Sequence, residues 1–225
     1  MIDCLLVTDV GTIGFLINIR THRYTIFMRI LSLHFLTEIL GVKTMGATTL
    51  KEFGRFGYFE SQRELFKSGH LWKLWYEQYP NLFDDKKLQW AHGQAKYGYH
   101  FFEWMGIILL HTATDYLPMG GNEYRLRPQN RKTRQLDKIV SLKALDLIEH
   151  CLAIYHCQAP DLLMYAPDYS DYFFCEVKGN SDRLSEAQLN FYLDLQSTSG
   201  KPVYILYFFR VKQGGVEYQD CNPKV

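Results

Sequence analysis

Three runs of β-prone residues lie close together in the C-terminal part of the chain, and they limit its fold more than any other feature of the sequence. They read DLLMYA, YFFCEVKG and PVYILYFFRV, and they begin at Asp161, Tyr172 and Pro202. The turn residues PDYSD separate the first two runs, which predicts a β-hairpin. A run with helical period, SEAQLNFYLDLQ, separates the second from the third.

A further helix is predicted immediately before the first of these strands, from Leu142 to His156. The side chains expected to face inward are Leu145, Ile148, Leu152 and Tyr155. The C-terminal part therefore has the order α-β-β-α-β, which is typical of a mixed α/β core.

The preceding part of the chain is predicted to be mainly helical. A helix is expected from Ser61, which stands in an S-x-x-E capping relation to Glu64, and a longer one ends near Pro118. We divide the chain into an apolar segment, 1–44, a helical region, 45–138, and an α/β core, 139–225. The apolar segment has no assigned role, and its pattern indicates one or two strands followed by an amphipathic helix.

Composition and charge exclude several classes of protein. Hydrophobic residues make up 47% of the 225 residues and charged residues 22%, as in globular proteins. No apolar run is long enough for a membrane span, so we expect no membrane association. The five cysteines form no C-x-x-C pair, which argues against a zinc site or disulfide framework and favours reduced thiols in the cytoplasm. A net charge of +1 means that any affinity for a polyanion must come from a local patch.

The run YFFCEVKG carries two charges on one face of a strand. Because side chains alternate along a strand, Glu176 and Lys178 share one face, and Cys175 faces the other way. A hairpin centred near Tyr169 pairs Asp161 with Val177 or a residue next to it, so Asp161 and Glu176 lie together. Two carboxylates and a backbone carbonyl suit Mg²⁺, and an adjacent lysine can assist an attacking water.

These residues resemble the motif of a known nuclease superfamily. Pro160-Asp161 followed by Glu176-Val177-Lys178 resembles the PD-(D/E)XK motif. The continuation is similar to the VRR-NUC branch, a virus-type replication and repair nuclease domain also found in Fanconi-associated nucleases, in which the E-x-K strand precedes a helix, a glycine and a strand. The matching positions are Leu184-Ser185, Gln188, Gly200 and Val203 to Leu206.

The resemblance implies a restriction-endonuclease-like core with a mainly helical N-terminal extension, and it assigns roles to individual residues. It implies that Asp161 and Glu176 bind Mg²⁺, that Mn²⁺ can substitute, that Val177 supplies its carbonyl and that Lys178 is catalytic. Gln188 matches a helical glutamine near the family's site. The same residue also forms an S-x-x-Q capping box with Ser185, and both interpretations stay open.

The position of a further acidic ligand is open between two glutamates. Family members often have an upstream helical glutamate at the metal, and Glu103 and Glu149 are both candidates. Glu103 is favoured because its helix is strongly apolar, where a buried carboxylate needs a partner. A second Pro-Asp pair occurs at Asp168, but it falls in the predicted turn, away from Glu176.

A basic segment, 125–138, precedes the core. Its candidate phosphate contacts are Arg125, Arg127, Arg131, Lys132 and Arg134. A solvated loop is the alternative interpretation.

The leading functional hypothesis is a Mg²⁺-dependent deoxyribonuclease of DNA repair type, and the DNA structure that it acts on, for example branched or flapped DNA, stays open. One alternative is a catalytically silent nuclease fold that binds DNA or serves assembly. Another is an α/β domain in which Glu176 and Lys178 form only an exposed pair. A homodimer, an RNA substrate and the choice between endo- and exonuclease stay open.

Overall fold

The computed structural model describes residues 49–83, 93–120 and 137–211, and the backbone of 13–19 and 22–28. Near the N-terminus, β1 (Ile13–Ile19) and β2 (His22–Met28) form an antiparallel hairpin. These strands confirm the β prediction for the apolar segment. The amphipathic helix predicted after them lies outside the described residues.

A mixed five-stranded sheet forms the centre of the fold. Its strands are β3 (Lys51–Tyr58), β4 (Leu117–Gly120), β5 (Leu162–Tyr165), β6 (Tyr172–Gly179) and β7 (Val203–Arg210). Their spatial order is β3-β7-β6-β5-β4, with β7 parallel to both of its neighbours and β5 antiparallel to both of its own. The α/β class predicted from the sequence is confirmed.

Five helices of eight residues or more accompany this sheet in the described ranges. They are α1 (Glu60–Lys67), α2 (His70–Gln78), α3 (Phe101–Thr114), α4 (Leu142–Tyr155) and α5 (Glu186–Ser199). The order α4-β5-β6-α5-β7 reproduces the predicted α-β-β-α-β arrangement. No helix in these ranges combines the length and apolar character that crossing a membrane requires.

Helices cover both faces of the sheet and create two hydrophobic clusters. Helices α1, α2 and α3 pack on the face that includes Cys175 and Val177. Helices α4 and α5 pack on the opposite face, which includes Phe174. Every residue of β6 is buried, and this explains why its sequence is nearly continuously apolar.

Helices α1 and α4 each differ in one detail from the sequence-based predictions. Helix α1 begins at Glu60 with Phe59 as its N-cap, and the Gln62 side chain, not that of Glu64, accepts the Phe59 N–H (2.8 Å). Leu152 is 65% exposed, because the buried side of α4 is rotated toward Ala144 and Cys151. Small side chains there let the helix lie close to its neighbours.

Strands β3 and β4 occur in the region that was predicted to be mainly helical. The sequence KEFGRFGY of β3 contains two glycines, which weaken the strand signal. In β4, Pro118 was interpreted as the end of a helix. This strand is an edge strand of the sheet, the position at which a strand tolerates proline.

Candidate active site

The β5–β6 hairpin brings Asp161 next to the acidic part of β6. Leu162 pairs with Cys175, so the register places Asp161 beside Glu176, one residue from the predicted partner Val177. The shift arises at the turn, which is centred between Asp168 and Tyr169 instead of on Tyr169. Asp161 nevertheless contacts Val177, because its Oδ2 accepts the Val177 backbone N–H at 2.9 Å.

The second Pro-Asp pair lies in the turn at the other end of this hairpin. Asp168 is exposed and accepts hydrogen bonds from the backbone N–H and the hydroxyl of Ser170 (3.0 and 2.6 Å). These hydrogen bonds lower the pKa of Asp168. The residue therefore stabilises a turn, remote from Glu176.

Glu176 and Lys178 form a buried ion pair. Their residues are only 4% and 8% exposed, and Lys178 Nζ lies 2.7 Å from Glu176 Oε1. Cys175 and Val177 belong to the cluster on the opposite face, as the alternation of the strand predicted. The pair is not exposed, so the interpretation of these residues as an ordinary surface pair is wrong.

Helix α5 supplies polar groups that hold the ion pair. Gln188 donates from Nε2 to Glu176 Oε1 (3.0 Å), and its Oε1 accepts from Lys178 Nζ (3.2 Å). The same Oε1 accepts the Ser185 backbone N–H (3.2 Å), and Ser185 Oγ accepts the Gln188 N–H (3.1 Å). Gln188 therefore completes the capping box and contacts the ion pair at once, so the two interpretations of this residue are compatible.

Tyr192 is a member of this cluster that the sequence analysis missed. It is fully buried on α5, and its hydroxyl donates to Glu176 Oε2 at 2.7 Å. Both carboxylate oxygens of Glu176 are thus hydrogen-bonded. The sequence contained a signal for this contact, since Gln188 and Tyr192 are four residues apart and share one helical face.

Asp161 lies in a strongly acidic environment. Desolvation raises the pKa of Asp161 well above its usual range, and the charges of Glu176 and then Glu103 raise it further. The Val177 N–H and the charge of Lys178 act in the opposite direction but are weaker. The charges of Glu103 on α3 and of Glu176 on β6 therefore both act on Asp161, which directly precedes β5.

The two candidate upstream glutamates lie in different environments. Glu103 is in the first turn of α3, where Oε1 is 3.0 Å from His100 Nδ1. Glu149 is exposed on α4, close to Asp146 and His150. Ligand atoms of these three α4 residues lie within 4.8 Å of one another, but such exposed groups are common without a metal. Of the two glutamates, Glu103 is the one whose charge affects Asp161.

The predicted phosphate-binding residues belong to the basic segment, 125–138. Arg125, Arg127, Arg131, Lys132 and Arg134 all lie outside the described residues. Lys138, at the end of the same segment, is described, and its Nζ lies 5.7 Å from the centre of the Tyr169 ring.

The cysteines in the described ranges are free thiols. They are Cys151, Cys157 and Cys175, and all three are buried. Burial raises the pKa of the Cys175 thiol well above its usual range. This cysteine is therefore a hydrophobic residue beneath the site, not a nucleophile.

The chain has little similarity to known proteins. No protein-family profile matches the chain, and no curated protein sequence matches it. One solved structure that matches is paFAN1, crystallised with 2-nt 5′-flap DNA containing a gap. The match has 24% identity and a TM-score of 0.30, and it covers 36% of this chain and 16% of the other. A match of this size assigns neither a family nor an activity to this chain.

Proposed function

We propose that the protein is a Mg²⁺-dependent nuclease of PD-(D/E)XK type that hydrolyses phosphodiester bonds in DNA. The observation that carries this proposal is the meeting of the partly buried Asp161 with the buried Glu176 and Lys178. Carboxylates from separate elements converge there, beside a lysine held by its own hydrogen bonds. Buried charges are costly, so a cluster of this kind is typical of a functional site.

The donor groups fit Mg²⁺, which prefers oxygen ligands and few protein carboxylates. Asp161 and Glu176 would hold the ion, with the Val177 carbonyl and Glu103 as further oxygen donors. The Asp161 hydrogen bond to Val177 uses Oδ2 only. When bound, Mg²⁺ would lower the pKa of a coordinated water and offset negative charge on the phosphate.

Lys178 would act on the attacking water or on the charge that develops at the phosphate. Its ammonium group is fixed between Glu176 Oε1 (2.7 Å) and Gln188 Oε1 (3.2 Å). A fixed cation in a dry site stabilises developing negative charge without reorganisation. Gln188 and Tyr192 are positioning residues, since they hold Glu176 by its two oxygens.

The test is cleavage of labelled DNA substrates, including flap, branched, duplex and single-stranded forms, with EDTA, Mg²⁺ or Mn²⁺. We expect cleavage only with a metal, and we expect Lys178→Ala to reduce it by about 100-fold or more. Lys143→Ala is the matched control, because this lysine is exposed on α4 and its removal should leave cleavage unchanged.

Folding is checked first by circular dichroism, and Lys178→Met is the second variant because its unbranched apolar chain suits the buried position. A folded Lys178 variant that cleaves as well as the wild type would contradict the proposal. DNA binding in EDTA without cleavage in Mg²⁺ or Mn²⁺ would instead identify a silent nuclease fold.

A further inference from the structure

Two exposed tyrosines flank Gly98 in the segment that leads into α3. Tyr97 and Tyr99 are 61% and 62% exposed, and their ring centres are 5.9 Å apart. Lys96 Nζ lies 4.8 Å from the centre of the Tyr97 ring. Large aromatic side chains with this exposure contribute little to the core, so folding alone does not account for the pair.

The backbone holds these tyrosines in a defined position. Gly98 N–H donates to Ala95 O at 2.6 Å, and Ala95 is buried. Gly98 and His100 both have positive φ, at 75° and 64°, which turns the chain twice within three residues. The His100 ring is held between Gln94 Oε1 (2.7 Å) and Glu103 Oε1 (3.0 Å).

Basic side chains of α1 lie directly against this turn. A Cβ at Gly98 would be 3.1 Å from both Arg63 Nε and Lys67 Cε, so the absence of a side chain lets the turn approach them. Arg63 Nε is buried and has no hydrogen-bond acceptor among the described residues. Lys67 is paired with Glu64, whereas Lys96 is exposed.

This surface is close to the candidate active site along the chain. Glu103 follows Tyr99 by four residues and lies in the first turn of α3. Its charge acts on Asp161, and His100 connects the turn to it. The tyrosine turn is therefore connected to the acidic cluster through His100 and Glu103.

We propose that Tyr97 and Tyr99 form a stacking platform for unpaired bases, with the exposed Lys96 contacting the phosphate backbone and the nearby charges of Arg63 and Lys67 adding to the attraction. Exposed aromatic rings beside cations are the combination that binds single-stranded nucleic acid without sequence preference. The inference rests on the proposed function for the identity of the polymer as DNA. It adds that the strand entering this side of the site is single-stranded.

The test measures binding in EDTA, where no cleavage occurs. Fluorescein-labelled oligothymidylate and a labelled duplex of equal length are titrated, by fluorescence anisotropy, with the wild type and with a Tyr97→Ala/Tyr99→Ala variant. Stacking contributes about 1–3 kcal/mol per base, so loss of each ring is expected to weaken single-strand binding by roughly 5- to 150-fold. Duplex affinity should change by less than about twofold, because paired bases present no free face to the rings.

Matched variants separate stacking from other contributions. Tyr97→Phe/Tyr99→Phe keeps both rings and should bind oligothymidylate as the wild type does. Lys96→Ala should lower the slope of log affinity against log salt concentration by the amount that corresponds to about one phosphate contact. Because both tyrosines are exposed, we expect all these variants to retain the wild-type melting temperature.

Unchanged single-strand binding by the alanine variant would overturn the platform, and so would an equal loss of duplex binding. Loss of binding by the phenylalanine variant would also contradict stacking, since only the hydroxyls differ. The outcomes are independent of catalysis. A protein that cleaves DNA without using the tyrosines contradicts this inference alone, and one that binds single strands through them but never cleaves contradicts the proposed nuclease activity alone.

Discussion

At the scale of single residues, the defining feature is a buried carboxylate of which both oxygens accept hydrogen bonds. Glu176 Oε1 contacts Lys178 and Gln188, and Oε2 accepts from Tyr192. An unpaired charge in this position would cost several kcal/mol, so these partners make the burial of Glu176 tolerable. They also fix the direction in which its oxygens face.

The hydroxyl of Tyr192 is predicted to stabilise the fold measurably. Tyr192→Phe removes the donor to Glu176 together with an acceptor for Gln188 Nε2 (3.3 Å), and hydrogen bonds to charged groups contribute about 1.5–3 kcal/mol. We expect the free energy of unfolding to fall by about this amount in urea titrations. Tyr155→Phe is the control: it removes a hydroxyl that donates to Asp194, in an exposed pair, and should change stability by less than about 0.5 kcal/mol. Equal losses in the two variants would contradict a special role for Tyr192.

The raised pKa of Asp161 predicts a specific dependence of stability on pH. Its folded pKa lies above its unfolded value, near 3.9, because of desolvation, then Glu176 and Glu103. The folded protein therefore binds the proton more tightly, and stability is lost as pH rises from about 3.9 through the raised pKa. In EDTA, Asp161→Asn should remove this loss. The measurement is the difference in the free energy of unfolding between the wild type and the variant, obtained from urea titrations at each pH.

Asp168→Asn is the matched control for this experiment, because the contribution of Asp168 to stability changes with pH in the opposite direction. Ser170 lowers the pKa of Asp168, so its contribution to stability is lost as pH falls. An Asp161→Asn variant whose pH profile parallels that of the wild type would show that Asp161 titrates normally.

At the scale of elements, helix α5 combines a capping box with contacts to the ion pair. Gln188 Oε1 serves both roles, but Ser185 Oγ belongs to the cap alone and Gln188 Nε2 donates only to the groups around Glu176. The two roles can therefore be separated by mutation.

Ser185→Ala removes the cap and should cost about 1 kcal/mol of stability while leaving cleavage intact.

Gln188→Glu keeps an acceptor for the Ser185 N–H but loses both amide hydrogens. We expect it to fold and to lower metal affinity or cleavage by about 10- to 100-fold, as is usual when a residue that orients a ligand is changed. Cleavage and stability to urea are measured for both variants. The separation would be contradicted if each variant lowered cleavage and stability to the same extent.

The elements also show what the sequence could and could not predict. The hairpin and the faces of β6 followed from residue alternation and turn chemistry, which are local. The one-residue register shift depends on how the 166–171 turn closes, with Tyr169 at positive φ, and no pattern specified this. The role of Tyr192 could not be predicted from the sequence, because a tyrosine on a helix ordinarily packs in the core. Only the tertiary contact with Glu176 reveals this role.

At the scale of the whole molecule, the candidate site joins the two halves of the fold. Helix α3 packs on one face of the sheet and α5 on the other, while Asp161 and Glu176 belong to the sheet between them. Contact between α3 and the sheet is close, since a Cβ at Gly106 would lie 3.1 Å from Leu206 and 3.3 Å from Val177. A cation held by Glu103, Asp161 and Glu176 would connect α3 to two strands.

Mg²⁺ is therefore expected to stabilise the whole fold. A ligand that binds only the folded state adds RT ln(1 + [L]/Kd), about 2.7 kcal/mol at 100 times Kd. Titration of Mg²⁺ into metal-free protein should raise the melting temperature, and Asp161→Asn should abolish the rise.

The same titration decides between the two upstream glutamates. Glu103→Gln should weaken the Mg²⁺-dependent rise, because its charge reaches Asp161. Glu149→Gln, which alters the exposed α4 cluster of Asp146, Glu149 and His150, should leave it unchanged. The reverse result would move the metal to α4, on the opposite side of the sheet from α3, and would leave the acidic cluster around Asp161 without the role proposed for it.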